Sequence, residues 1–573
     1  MRPTSTLWLA LGVLLSSSTA VASTLTQLYQ NRLLFDDDGK PQVSVRLMER
    51  QSRVRLFAEE QLTCRFEDDT VWQVPVGSEV VVDVVKAGPA QIQSHTILQT
   101  LEADERTHVR ERLQALRKLA TPLKLGRISV VQVGGVYGVK GTVVDNRASL
   151  LVSEHMPKAS LAEKHGLRPV EGGRLLGLPA STLRVSHPAL GSKTIAAADA
   201  VLRCAATQVG GAVLVKDVEH DVGFRSHGKD DRAYRKEVVV LPDRDGTLAV
   251  VNLVDETTLV AGVLPSEMFA SAPMEALKAQ AVTARGELYS KIGRRFLADP
   301  YLTCSSQMCQ VYRGVRAETA ATNEAATSTV GELAFNGERL IESVYSACAG
   351  GHTAAAHIVW PHTPKAPLRG LPDTPLADPA HRPWAHTSSV AAGLGGHRAG
   401  AFLAVMSPIP LDLRDERAVR RFLDVGRPET FSGRSTFNQK YDHYRWERTF
   451  TQADLQAMFA ADKLGPIRSL QVTGRGPGGR LKALKVVGDQ GQLVLQRELP
   501  VRRKLKGLRS GLFVVDEQRD AQGQLQQVTL RGAGFGHGAG MSQQGAIGMA
   551  ESGFSYQAIL HHYYGGATVR RVF

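Results

Sequence analysis

The chain has 573 residues, which at roughly 150 residues per domain predicts three or four folded units rather than a single core. Its 43% hydrophobic and 22% charged residues are typical of globular proteins and exclude disordered, collagen-like and coiled-coil structures for most of the chain. A net charge of +13 favours an anionic partner, such as nucleic acid, a membrane surface or a cell wall, without choosing among them.

Residues 1–22 have the pattern of a cleavable secretory signal peptide. They carry one charge, at Arg2, followed by an apolar run from Leu7 to Leu15 and a small-residue ending. We therefore expect an exported protein whose mature chain begins at Ser23, and the alternative is an uncleaved signal anchor. No later stretch reaches the roughly 18 consecutive apolar residues of a membrane helix, so we expect no transmembrane span in the mature chain.

The region 23–125 is predicted to be β-rich with one charged helix. Residues 42–57 alternate between polar and apolar side chains, and residues 71–85 are rich in valine, which indicates an antiparallel sheet. Residues 101–119 place apolar side chains at helical spacing among Glu and Arg, so we expect a solvated amphipathic helix there.

The region 126–229 is predicted to be a small α+β module. Residues 127–153 have strand composition again, a short helix is expected near 159–166, and more strand-like sequence follows. A polar break at 227–232 marks the expected end of this module.

The region 230–573 opens with a predicted hairpin at 237–254, whose turn is Asp243–Gly246. The clearest helix of the chain follows, with Ser271 as its expected cap and Pro273 in its first turn. Its apolar face at helical spacing consists of Met274, Leu277, Ala281, Ala284, Leu288 and Ile292.

Further elements are predicted along the same region. Residues 318–330 indicate an Ala-rich helix, and Asn336-Gly337 is a strong hairpin signal. The proline-rich stretch 372–385 indicates a surface loop, and strands resume at 467–499. Together these patterns predict an α+β fold with mixed helices and antiparallel sheets in several domains.

The chain contains five cysteines, which are too few for a disulfide scaffold. Cys64 and Cys204 are isolated in the sequence, whereas Cys304, Cys309 and Cys348 lie in one region. In an oxidising compartment some of these three are expected to pair, and the odd total leaves at least one cysteine in another state.

Three sequence blocks carry a specific resemblance to a known family. They are VLPSEMFASAPMEALKAQAVTARGELY (263–289), CQVYRG (309–314) with YSACAGGHT (345–353), and GAGFGHGAGMSQQGAIGMAESGFSYQAILHHYYGG (532–566). They resemble the SpoIID/LytB family, the stage II sporulation protein D and amidase-enhancer proteins of bacterial cell walls. The resemblance extends over 230–573 and implies a catalytic region that acts in the periplasm or cell envelope of a bacterium.

Glu267 is the candidate catalytic residue of the first block. The residues alone favour a capping or structural carboxylate over an acid. Apolar neighbours would raise the pKa of Glu267, as an acid needs, while the N-terminus of the following helix would favour the ionised form. The resemblance implies instead the single catalytic glutamate of a lytic transglycosylase, with Ser266 beside it in substrate binding. Ordinary glycosidases need a pair of carboxyl groups. Glu275, in the first turn of the following helix, is the rival carboxylate.

The third block has glycine at every second position from 532 to 540, around His537. Such glycines let another backbone or a sugar approach closely, so close packing and glycan contact are both open. A core role is the alternative for His537, and Tyr563-Tyr564 either stack on sugar rings or fill the core. We predict substrate-binding roles for Gly536, His537, Gly538 and Gln543.

A zinc site is one alternative for the cysteine region. Cys304, Cys309, Cys348 and His352 are residue types that bind zinc, and some members of the resembled family bind zinc near their matching segment. This sequence has Met308 where those members often have His, and Met is a poor zinc ligand. We expect no required cofactor, and a disulfide, zinc or free thiols remain open for the cysteines.

Two functions follow from the resemblance. The first is an exported lytic transglycosylase that cleaves peptidoglycan glycan strands and forms 1,6-anhydro-N-acetylmuramic acid through Glu267. The second is a non-catalytic amidase enhancer that binds the wall and stimulates an N-acetylmuramoyl-L-alanine amidase. The intact Pro265–Met268 segment favours catalysis. Glycan strands and a cell-wall amidase are the expected partners, and no nucleic acid is expected.

Overall fold

The computed structural model describes residues 23–374 and 412–572, apart from short gaps at 37, 103–106, 138–143, 159–160, 163–164, 166, 168, 197–198, 222–226, 361–366, 427–429 and 441. The predicted signal peptide lies outside the described residues, as do most of the helix expected near 159–166 and the loop 372–385 beyond residue 374. None of the described helices is long and apolar enough to cross a membrane.

The α+β prediction is confirmed, and the largest sheet has eight strands. Seven of them lie in the order Leu34–Phe35, Pro41–Gln51, Leu248–Asp255, Glu237–Pro242, Leu202–Ala206, Leu62–Phe66 and Val71–Val74, and Thr303–Cys304 pairs in parallel with Pro41–Gln51. The hairpin predicted around Asp243–Gly246 is confirmed within this sheet. The sheet crosses the boundaries predicted at 125 and 229, because it combines strands from 34–74, 202–206 and 237–255. The division of the chain into three regions stays a prediction.

Cys64 and Cys204, which are isolated in the sequence, form a disulfide. The strands Leu62–Phe66 and Leu202–Ala206 pair antiparallel in a register that sets the two cysteines directly opposite each other. Both side chains are fully buried. The two cysteines are therefore partners in the folded chain, although 140 residues separate them in the sequence.

The predicted β-rich character of the N-terminal part is confirmed by two further sheets. A six-stranded sheet has the order Gly191–Ala196, Thr182–His187, Glu79–Lys86, Arg53–Phe57, Ala212–His220 and Gly228–Arg235. A four-stranded sheet has the order Val170–Gly177, Gln91–Glu102, Ala148–Ser153 and Ile128–Val133, and a short pair is Val136–Tyr137 with Val144–Asp145.

The charged helix is shorter than predicted and spans Val109–Lys118. The strand Gln91–Glu102 extends into the predicted helical range, because Leu101 is buried in the packing of the four-stranded sheet. A first short helix, Thr24–Tyr29, begins at Ser23, whose hydroxyl accepts a hydrogen bond from Thr26 N–H.

The helices around the candidate site pack into one hydrophobic cluster. The predicted long helix is confirmed at Met274–Tyr289, although Pro273 and not Ser271 is its cap residue. The Ala-rich helix is confirmed at Ala320–Ser328, where Thr319 forms a capping box. The other helices of this group are Glu256–Glu267, Ala356–Val359, Phe431–Arg434, Thr436–Lys440, Gln543–Glu551 and Tyr556–Tyr563.

Small sheets complete the C-terminal half. The Asn336-Gly337 hairpin and the strands after residue 467 are confirmed. The sheets are Arg339–Leu340 with Glu332–Asn336 and Thr568–Arg571; Tyr345–Ser346 with Met541–Ser542; Arg445–Thr451 with Leu525–Ala533 and Phe513–Arg519; and Ile467–Arg475 with Leu481–Gly488 and Gly491–Gln496. The remaining helices are Glu416–Asp424, Gln452–Phe459 and Glu498–Lys504, with 3-10 turns at Val315–Ala317 and Ala460–Asp462.

Candidate active site

Glu267 is the last residue of the helix Glu256–Glu267. The helix begins after Asp255, whose carboxylate accepts a hydrogen bond from Thr258 N–H at 2.9 Å. A helix C-terminus carries a partial negative charge, so this end of the helix disfavours an ionised carboxylate. The N-terminus of the following helix was expected to favour ionised Glu267. The C-terminus of the helix that contains Glu267 opposes this effect.

The surroundings of Glu267 raise the pKa of its carboxyl group. Burial is the largest effect and raises the pKa; hydrogen bonds from Val311 N–H and the Tyr345 hydroxyl lower it, and the nearby Glu287 carboxylate raises it. The Val311 N–H donates to Oε1 at 2.9 Å. Because burial dominates, the carboxyl keeps its proton to a higher pH than an exposed glutamate, as a general acid requires.

Tyr345 connects the carboxyl of Glu267 to a second polar side chain. Its hydroxyl lies 3.3 Å from Gln310 Oε1 and also hydrogen-bonds Glu267. A hydroxyl has one proton to donate, so Tyr345 donates either to Glu267 or to Gln310. Gln310 is held in turn by its amide, which donates to the Ala284 carbonyl at 3.0 Å. Neither residue was singled out from the sequence, although Gln310 lies in the segment 309–314 and Tyr345 in the segment 345–353.

Gln543 brings the third block to the same place. Its side-chain amide donates to the Glu267 backbone carbonyl at 2.6 Å and to Gln280 Oε1 at 3.2 Å. Gln280 is fully buried on the helix Met274–Tyr289. The three blocks therefore meet at Glu267, and the predicted contact of Gln543 with substrate stays a prediction.

A second carboxylate, Glu287, lies near Glu267 and was not singled out from the sequence. Its Oε1 forms an ion pair with Lys291, and its Oε2 is buried without a hydrogen-bond partner among the described residues. Glu287 and Gln310 line the same small cleft. A like charge at this position disfavours ionisation of Glu267.

Ser266 and Glu275 differ in their surroundings. The Ser266 hydroxyl is buried and has no hydrogen-bond partner in the described part of the chain, and its predicted substrate role stays a prediction. Glu275 accepts hydrogen bonds from Tyr556 N–H at 2.8 Å and from Lys278 at 3.1 Å. Glu275 therefore links the first turn of its own helix to the first turn of the helix Tyr556–Tyr563.

Protein atoms fill the space beside the alternating glycines. An added Cβ would lie 2.9 Å from Ser346 Cβ at Gly536 and 2.1 Å from an Arg480 nitrogen at Gly538. The two glycines have φ of +94° and +72°, which L side chains rarely adopt. Close packing thus accounts for both glycines, and their predicted glycan contact stays a prediction. Arg480 itself is buried and donates to the Gly536 carbonyl at 3.1 Å.

His537 holds neighbouring backbone segments together. Its Nδ1 accepts a hydrogen bond from Ala539 N–H at 3.1 Å, and its ring also hydrogen-bonds the backbone of Tyr345. Burial, followed by the positive charge of Arg480, lowers the pKa of His537 to about 3. The neutral ring therefore positions Tyr345, while a sugar contact of His537 stays a prediction.

The cysteine region contains a disulfide between Cys304 and Cys309. Cys348 is a free thiol, and burial raises its pKa to about 12. Zinc ligation requires thiolates, and the two sulfurs of the Cys304–Cys309 disulfide do not supply them, so the zinc set of these cysteines with Cys348 and His352 does not fit. No described group of three or more His, Cys, Asp or Glu side chains suits a metal ion.

The tyrosine pair at the end of the third block belongs to the core. The Tyr563 hydroxyl donates to Asp373 at 2.5 Å, and the Tyr564 hydroxyl donates to the Val344 carbonyl at 3.0 Å. Tyr563 is 3% exposed and Tyr564 is fully buried. Of the two alternatives for this pair, the structure favours core packing over stacking on sugar.

Comparisons with known proteins match the part of the chain that contains Glu267. A family model described as Stage II sporulation protein matches residues 244–335, and one described as Domain of unknown function (DUF8618) matches residues 358–540. The chain is 30% identical over 324 residues to the amidase enhancer of Bacillus subtilis (strain 168), covering 54% of this chain and 40% of that protein. It is 26% identical over 324 residues to stage II sporulation protein D of the same organism, covering 54% of this chain and 73% of that protein. The match to stage II sporulation protein D of Bacillus amyloliquefaciens is 34% over 142 residues, 25% of this chain and 38% of that protein.

Proposed function

We propose that this chain, a member of the SpoIID/LytB family, is an exported lytic transglycosylase that cleaves peptidoglycan glycan strands. The observation that carries this proposal is the raised pKa of Glu267, a largely buried carboxyl with hydrogen bonds from Val311 and Tyr345. A carboxyl that keeps its proton to a higher pH than an exposed glutamate can donate that proton to a glycosidic oxygen.

One carboxyl is sufficient for the proposed reaction. Protonated Glu267 donates its proton to the glycosidic oxygen as the bond from that oxygen to the anomeric carbon of N-acetylmuramic acid breaks. The Glu267 carboxylate then accepts the proton of the 6-hydroxyl of the same sugar, and the 6-oxygen bonds to the anomeric carbon. The reaction consumes no water, and Glu267 ends protonated, ready for another turnover.

Neighbouring residues support both protonation states of Glu267. When Glu267 is ionised, the Tyr345 hydroxyl and Val311 N–H donate to it; when Glu267 is protonated, Tyr345 can donate to Gln310 instead. The like charge of Glu287 favours return of the proton to Glu267. This arrangement fits a group that must donate a proton and then take one back.

A second candidate is a non-catalytic amidase enhancer that binds the wall and stimulates a cell-wall amidase. It is favoured by the similarity to a protein named amidase enhancer, although the chain spans only 40% of the length of that relative. In this function Glu267 would be a buried structural carboxyl, and no strand would be cleaved by the protein alone.

Mass spectrometry of glycan strands after incubation with the mature protein tests the first function. We expect products lighter than hydrolysis products by the mass of one water, because cyclisation replaces water addition. Glu267→Gln should abolish these products, whereas the matched control Glu275→Gln should retain them. Cleavage by Glu267→Gln at the wild-type rate would exclude Glu267 as the acid.

Adding an N-acetylmuramoyl-L-alanine amidase separates the two functions. An enhancer should increase the rate of peptide release from intact peptidoglycan, equally in wild type and Glu267→Gln, without producing anhydro sugars. A transglycosylase should produce anhydro sugars without the amidase. Anhydro products that depend on Glu267 therefore support the first function, and their absence together with faster amidase action supports the second.

A further inference from the structure

An exposed aromatic side chain lies two residues after Glu267. Phe269 is 43% exposed, although it follows directly on a buried part of the site. Its ring centroid is 5.1 Å from that of Phe437, with 31° between the ring planes. Phe437 belongs to the helix Thr436–Lys440, in the segment that matches the domain of unknown function. The ring pair therefore joins that segment to the region of Glu267.

An extended residue separates Phe269 from the end of the helix that contains Glu267. The intervening Met268 is extended, with φ −135° and ψ 146°, and is 4% exposed. Side chains alternate between the two sides of an extended backbone. Because Met268 is buried in the core, the Phe269 ring that follows it lies on the solvent-facing side.

One helix fixes Phe437 relative to Glu267. Gln543, at the beginning of the helix Gln543–Glu551, donates to the Glu267 carbonyl. Glu551, at its end, accepts a hydrogen bond from Thr436 N–H at 3.1 Å and another from the Thr436 hydroxyl. The residue before Phe437 is therefore tied to the same rigid element that holds Glu267.

The segment 358–540 also reaches Glu267 through a second set of contacts. Trp360, near its beginning, packs edge-on against His537 with ring centroids 4.7 Å apart. His537 hydrogen-bonds the backbone of Tyr345, and the Tyr345 hydroxyl hydrogen-bonds Glu267. Two aromatic residues of the segment 358–540 are thus connected to Glu267, Phe437 through the Glu267 backbone carbonyl and Trp360 through the Glu267 carboxyl.

We propose that Phe269 and Phe437 form an aromatic platform that binds a sugar ring of the glycan strand beside Glu267. This inference rests on the proposed function, and it assigns part of the substrate site to the segment 358–540. The C–H face of a pyranose ring is apolar and packs on an aromatic face, while its hydroxyl groups remain in water at the edge. Contiguous exposed apolar surface marks ligand-binding grooves and interaction sites, whereas single exposed hydrophobic residues are ordinary.

Binding is measured in the Glu267→Gln background, where the strand is not consumed. The probe is purified peptidoglycan glycan strands without stem peptides, titrated by calorimetry. We expect Phe269→Ala and Phe437→Leu each to weaken binding roughly tenfold, the equivalent of about 1.4 kcal/mol. Phe437→Leu keeps apolar bulk in the core cluster and removes the ring face.

Phe35→Ala is the matched control, because Phe35 is 47% exposed in the strand Leu34–Phe35 of the large sheet. It should bind strands like the parent. Equal binding by folded Phe269→Ala and Phe437→Leu would overturn the platform, as would a parent that binds no strands. If these variants bind strands normally but lose stimulation of an added amidase, the surface contacts a protein and the glycan assignment is wrong. If binding depends on both rings but wild type forms no anhydro sugars, the platform stands and the transglycosylase function fails.

Discussion

Replacing Glu267 by glutamine tests the buried carboxyl directly, because the amide keeps the shape and removes the titrating proton. A carboxyl whose pKa is raised by folding contributes stability that is fully present below its ordinary pKa of 4.5 and is lost as pH rises through the raised value. Glu267→Gln removes this loss. We therefore expect the variant to gain stability relative to wild type as pH rises above about 4.5.

The titration of a single proton sets the size of the stability difference between Glu267→Gln and wild type. Between the ordinary and the raised pKa, the folded state holds one proton that the unfolded state has released, so the stability difference grows by about 1.4 kcal/mol per pH unit. Above the raised pKa the difference is constant. Parallel denaturant unfolding of wild type and variant from about pH 4 to about pH 8 measures this slope, and strand cleavage by the variant should be lost over the same range.

Glu275→Gln is the matched control, because it makes the same change on a carboxylate that accepts hydrogen bonds from Lys278 and Tyr556. Loss of a negative charge at a helix beginning should lower stability by about 0.3–1 kcal/mol near neutral pH. A stability difference between Glu267→Gln and wild type that does not change with pH would refute the raised pKa. Glu267 would then lack the property that a general acid requires.

Three further outcomes are expected. Tyr345→Phe removes a hydrogen bond to the ionised form of Glu267, so the alkaline limit of cleavage should move to higher pH; an unchanged pH profile would contradict this contact. Gly538→Ala should lower stability by more than about 2 kcal/mol in unfolding experiments, since positive φ and a filled site combine, whereas Gly39→Ala, with positive φ and open space, should lose less. Mass analysis after alkylation under denaturing conditions should find the Cys304–Cys309 pair protected until reductant is added, and free alkylation of both would exclude this disulfide.

Local patterns in the sequence were sufficient for much of the fold. The Asp243–Gly246 and Asn336-Gly337 turns, the helix Met274–Tyr289 and the strands after residue 467 follow from interactions between residues close in the chain. Glu267 was also accessible from sequence, because its Pro265–Met268 segment lies in a block that resembles a known family.

Tertiary structure decided which distant groups meet. Strand register set Cys64 against Cys204, and packing placed the Arg480 guanidinium where a Cβ of Gly538 would lie. No periodic pattern encodes such contacts, because they depend on the relative placement of whole elements. The raised pKa of Glu267 has the same origin: the residue type supplies the carboxyl, but its burial and its contacts with Tyr345 and Val311 exist only after the three blocks have packed together.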